Sequence, residues 1–81
     1  MISDMRDWSR YEAVLLARRR GLTLLEAGAL VGVSRERARQ MEAIAIRSMV
    51  RGGAMSHMAP LTEREFSIAR RYWEEPPNYA I

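Results

Sequence analysis

The sequence predicts an all-α fold: a three-helix core containing a helix, a tight turn and a longer helix, with an additional helix near the C-terminus. Three observations predict it. Hydroxyl acceptors stand where helices would begin, at Thr23, Ser34 and Thr62, and Thr23 and Thr62 are each followed three residues later by a glutamate. That spacing lets side chain and backbone satisfy each other's orphaned amides at a helix start. Apolar residues then recur at three- and four-residue intervals; the first three runs stop at glycine, at Gly21, Gly32 and Gly52-Gly53, and the fourth at Pro76-Pro77.

The first helix is expected from Ser3 or Asp4 to Arg20. Asp4 and Asp7 near its start and Arg18, Arg19 and Arg20 at its end match the helix macrodipole. Trp8, Tyr11, Val14 and Leu15 supply an apolar stripe, expected to pack on Leu22, Leu24, Ala27 and Leu30. Stacking on a base is a second reading for Trp8 and Tyr11; core packing is the commoner use of aromatics at this spacing. The Arg18-Arg19-Arg20 run has two readings as well, a C-terminal cap and a phosphate contact.

The second helix opens at Thr23 in a T-x-x-E capping box with Glu26 and ends near Gly32; the third opens at Ser34 and runs to Gly52. On the third, at 100° per residue, Ala38, Met41, Ala45 and Met49 fall within an arc of roughly 80° and form the core stripe. Arg35, Glu36, Arg39 and Gln40 fall on roughly the opposite side. A charged helix face is most often merely solvated. These four, however, occupy the first two turns, where recognition helices carry their base contacts. Their chemistry also suits base edges: Arg forks onto guanine, Gln pairs with adenine and Glu accepts from the cytosine amino group.

The stretch from Thr23 to about Arg47, TLLEAGALVGVSRERARQMEAIAIR, resembles without a gap the helix-turn-helix in the fourth conserved region of housekeeping bacterial sigma factors. That motif binds the −35 promoter element, and SRERARQMEA carries the most specific part of the match. The resemblance implies that Arg35, Glu36, Arg39 and Gln40 read bases. It also implies that Thr23, Ser34 and Arg37 contact phosphates, which position a protein without reading sequence. A weaker likeness reaches back to Tyr11, so about half the chain is covered. A full sigma factor needs further regions to melt the promoter and grip the polymerase, which 81 residues cannot hold. A small stand-alone regulator is therefore expected. Leu25 and Ile44 stand where that family usually has charge.

Size and charge agree with that expectation. One domain of 81 residues has a marginal core. The net charge is +3, yet residues 18 to 51 hold eight arginines against three glutamates, a net of +5, as nucleic-acid binding requires. All 13 basic residues are Arg. Arg suits bidentate contacts, although a GC-rich coding sequence explains the absence of Lys more simply. There is no cysteine for disulfides or thiolate metal sites, no membrane-length apolar run and no signal-peptide pattern. A soluble cytoplasmic protein is expected.

Ile44, Ile46 and Val50 lie off the core stripe, so the end of the third helix is apolar nearly all round and calls for a cover. Residues 52–60, GGAMSHMAP, read as a linker in which one His and two Met are too few to hold a metal. Thr62 and Glu65 then form a second capping box, and Leu61 and Phe66 occupy the two positions of a hydrophobic staple. Phe66, Ala69, Tyr72 and Trp73 continue at helical spacing to Glu75, and a tail follows from Pro76 to Ile81. This face is expected to cover Ile44, Ile46 and Val50, either across a homodimer, the favoured arrangement, or as a lid within one chain.

No catalytic constellation, cofactor or metal is expected. The acidic residues read mostly as caps and solvated positions. The sequence therefore points to a sequence-specific regulator of transcription on double-stranded DNA, in the form of a dimeric repressor of phage or mobile-element type. The alternative is an interaction module that engages RNA polymerase and alters promoter choice.

Overall fold

The structure is a computed structural model that describes residues 8–74. Four helices follow one another, α1 (Trp8–Arg19), α2 (Leu24–Val31), α3 (Arg35–Val50) and α4 (Glu63–Glu74), and no strand occurs among the described residues. The expected all-α class is the observed one. Asp4, Asp7 and the tail lie outside the described residues, as do the side chains of Tyr72 and Trp73.

Local signals set the helix ends. Thr23 Oγ1 accepts from the Glu26 amide at 3.1 Å while the Thr23 amide donates to the Glu26 carboxylate at 2.9 Å. Ser34 Oγ accepts from the Arg37 amide at 3.1 Å. The turn from α2 to α3 is tight because of two glycines. Gly32 adopts the left-handed conformation at φ +77°, which side chains disfavour. Gly28 passes so close beneath the turn that a Cβ there would sit 2.7 Å from the Val33 carbonyl oxygen. Only glycine lets the helix and turn approach to that distance.

α1, α2 and α3 pack mutually, and α4 packs on α3. Tyr11, Val14, Leu15 and Ala17 of α1, Ala27 of α2, and Met41, Ile44, Ala45 and Ile46 of α3 are buried in one cluster with Met55 and Ala69. All six residues from Met41 to Ile46 are buried, as an apolar helix end requires. One side of α3 faces α1 and α2, and the other is closed by α4 and the loop before it.

Several expectations need correction. Leu30, expected in the α1–α2 core, is 66% exposed, and Phe66 of the expected staple is 54% exposed. α2 has only eight residues, and with Ala27 and Gly28 turned inward and Leu24 and Val31 half-buried, Leu30 falls on its outer side. The 52–60 segment is more than a linker: Met55 is 1% exposed and belongs to the core. Its amide donates to Ser48 Oγ at 3.3 Å, which ties the loop to α3. The C-terminal helix is an intramolecular cover. Ile44 and Ile46 are sealed within one chain, and Ala69 of α4 is 3% exposed, whereas Val50 stays partly open at 38%.

Candidate nucleic-acid interface

The face formed by the start of α3 rests on the Ser34 cap and the tight turn before it. Ala38 and Met41 hold the opposite face of these turns in the core at 0% and 2% exposure. Arg35, Glu36 and Arg39 are exposed and Gln40 is half-buried. The four polar positions on either side of Arg37 and Ala38 thus present side chains outward from a helix whose back is fixed.

These side chains are ordered by one another. Arg39 donates to Glu36 through Nε at 3.0 Å and through Nη2 at 2.5 Å. The Arg39 hydrogen bond, helped by the charges of Arg39 and Arg35, holds the Glu36 carboxyl below its ordinary range against a smaller effect of burial. Arg37 bridges inward and outward. Its Nη2 donates to the Tyr11 hydroxyl at 3.0 Å, its guanidinium lies 5.9 Å from the Tyr11 ring centroid, and its Nη1 donates to Gln40 Oε1 at 3.3 Å. A carbonyl oxygen has two lone pairs, so Gln40 Oε1 can accept a further hydrogen bond, while its amide group also supports the Glu36 carboxylate. Tyr11 is a core residue at 4% exposure. It packs on Trp8 with ring centroids 5.2 Å apart, which is the packing reading of both aromatics.

The three arginines at the end of α1 separate. Arg20 is exposed. Arg18 donates through Nη1 to the Leu22 carbonyl at 2.7 Å and faces both Glu42 oxygens at 3.4 Å. Arg19 turns toward α4. It forms a forked pair with Glu65, Nη2 to Oε1 at 2.7 Å and Nε to Oε2 at 2.8 Å, and also donates to the Ala59 and Pro60 carbonyls. A guanidinium so occupied is a strut between α1 and α4, and the phosphate reading of Arg19 gives way to that role.

Glu65 caps α4 as its spacing predicts, but it is also buried, at 0% exposure, and so is Glu42, at 3%, against the expectation of a solvated position. Glu42 also accepts from Arg64 Nη2 at 2.5 Å, so it gathers one arginine from α1 and one from α4. Burial pushes the Glu65 carboxyl up, but the Arg19 bond, the Thr62 amide and nearby positive charge together outweigh it. The net position is below the usual carboxylate range. A signal for Glu42 existed: on the helical wheel it lies roughly 20° beyond Met49, at the edge of the core stripe. Glu65 had none, because its burial depends on where α4 docks.

Between α2, α3 and α4 lies a cleft of about 350 Å³, with Arg18, Arg39 and Glu42 on one side and Arg64, Ser67 and Arg71 on the other. His57 Nε2 lies 3.3 Å from the Glu12 carboxylate, and no three His, Asp or Glu side chains converge as metal ligands among the described residues. No helix of the described residues is long and apolar enough to cross a membrane. No family model, curated protein or solved structure matches this chain, so fold and site rest on its residues alone.

Proposed function

We propose that this protein is a sequence-specific, double-stranded-DNA-binding regulator of transcription that acts in the cytoplasm by occupying a promoter or operator and excluding the polymerase. The observation that carries the reading is the outward presentation of Arg35, Glu36, Arg39 and Gln40 on the first turns of α3, opposite the buried Ala38 and Met41. A helix with its back packed and its N-terminal turns carrying these residue types suits the major groove. The likeness of residues 23–47 to sigma region 4 points the same way. Thr23, Ser34, Arg37 and Arg20, all exposed, are the residues assigned to phosphates. The reading involves no catalytic step, cofactor or metal.

Ile44 and Ile46 are covered within the chain, so a homodimer on a palindromic operator would draw on residues that stay exposed. Exposed apolar side chains that could serve it are Val50, at 38%, and Phe66, at 54%, of the expected interface, together with Leu25, at 65%, and Leu30, at 66%, of α2. Leu25 and Leu30 also suit the second reading, a module that docks on RNA polymerase. Selection from a random duplex pool separates these readings. Enrichment of a palindrome supports a dimeric repressor. A single hexamer supports a monomeric, sigma-like reader. A pool with no enriched sequence contradicts base reading and favours the polymerase-docking module.

A further inference from the structure

We propose that α4 is itself part of the DNA interface, with Arg64 and Arg71 meeting phosphates of the strand beside the groove that α3 enters. The inference rests on the reading above and extends it to an element that sequence alone cast only as a cover.

Arg64, Ser67, Ile68 and Arg71 follow one another at helical spacing and form one stripe of α4. Glu65 and Ala69 form another, and it is buried. The rotation of α4 is therefore fixed: the forked Arg19–Glu65 pair points one stripe into the core and leaves the Arg64–Arg71 stripe along the cleft. The opposite wall of that cleft includes Arg39, a proposed base reader, and Leu24, next to the exposed Thr23.

Four guanidiniums, of Arg18, Arg39, Arg64 and Arg71, line this cleft against the carboxylate of Glu42, and with Glu36 paired to Arg39 the balance is four positive charges to two negative. Its occupant should therefore be anionic. A DNA strand is an anion that, on the reading above, would already lie beside Arg39. Seven residues of helix separate Arg64 from Arg71 by about 10 Å along the axis, enough to meet different phosphates. Arg64 is held by Glu42 while its side chain remains 42% exposed. It keeps donors for a second acceptor, since a guanidinium has five. The charge count hid this face. Residues 52–81 sum to a slight negative charge, but Glu65 is spent inside the protein on Arg19.

The test is a salt titration of duplex binding, read by fluorescence anisotropy on a sequence selected by the wild-type protein, with Arg71→Gln and Arg70→Gln compared. Both variants remove one exposed charge from α4, and only Arg71 lines the cleft. The expected result is that Arg71→Gln flattens the slope of log K against log salt by about 0.9, equally on selected and scrambled duplexes, while Arg70→Gln leaves it near wild type. Ser67→Glu, a charge reversal on the same stripe, should weaken both duplexes by more than tenfold. An unchanged slope in Arg71→Gln, equal effects of the two arginine variants, or a loss confined to the selected sequence overturns this inference and leaves the reader on α3 standing. Loss of polymerase capture with duplex binding intact assigns the cleft to a protein partner and overturns it too. A wild type that binds no duplex removes both this inference and the reading beneath it.

Discussion

Two helices of this protein begin with the same four-residue device and use it differently. Thr23-x-x-Glu26 opens α2 and Thr62-x-x-Glu65 opens α4, each with its two reciprocal hydrogen bonds. Glu26 is exposed, and among the described residues its carboxylate serves the cap alone. Glu65 is fully buried and also holds the Arg19 fork. The motif makes a helix start in both places, and its surroundings decide whether it also locks two helices together. At α4 the lock fixes the helix rotation on which the cleft beside the reader depends.

The largest effect should come from unequal substitution. Glu65→Ala loses a cap and strands the inward-facing Arg19, and should cost about 3–5 kcal/mol of unfolding free energy. Glu26→Ala should cost below about 1 kcal/mol. Urea unfolding of the two variants checks this, and equal losses would break the comparison. A sharper version pairs Arg19→Met with Glu65→Met. Replacing a buried ion pair by apolar groups of similar size is often close to neutral, so the double variant should recover most of the stability lost in either single one.

Acid should reveal the same lock. The folded-state value of Glu65 lies below its ordinary one, so its stabilisation is complete above the unfolded value of about 4.3 and is lost as pH falls through the folded value. Melting temperature measured from about pH 6 down to about pH 3 should therefore fall, and the fall should be shallower in Glu65→Gln. The smallest contrast is between Thr23→Ala and Thr62→Ala. Each removes one hydroxyl cap and should cost about 1 kcal/mol, because the caps themselves are alike.

The helix ends were legible in the sequence because capping and glycine signals are local. Ser34, Gly32 and the Thr23 and Thr62 boxes act through residues three or four positions away, and the structure places α2 and α3 where they indicate. The core stripe of α3 was legible for the same reason. What remained hidden depends on docking. Leu30 resembles a core residue by type, yet it falls on the outer side of α2. Met55 looked like part of a linker until α4 folded back and closed the core over it. Whether α4 covered Ile46 in its own chain or in a second one was open in the sequence, since the same apolar residues satisfy both. The exposed set on α3 was legible as geometry, but its base-reading role follows from residue chemistry and awaits a binding measurement.

That measurement compares wild type, Arg39→Ala and Gln40→Ala for affinity to a selected duplex and a scrambled one, with thermal unfolding recorded alongside. Arg39 is exposed and Gln40 half-buried, so both variants should fold as the wild type does. Each should lose about 1 to 3 kcal/mol of preference for the selected sequence, with little change on the scrambled one. Preference that survives both substitutions would contradict the assignment of α3 as the reader.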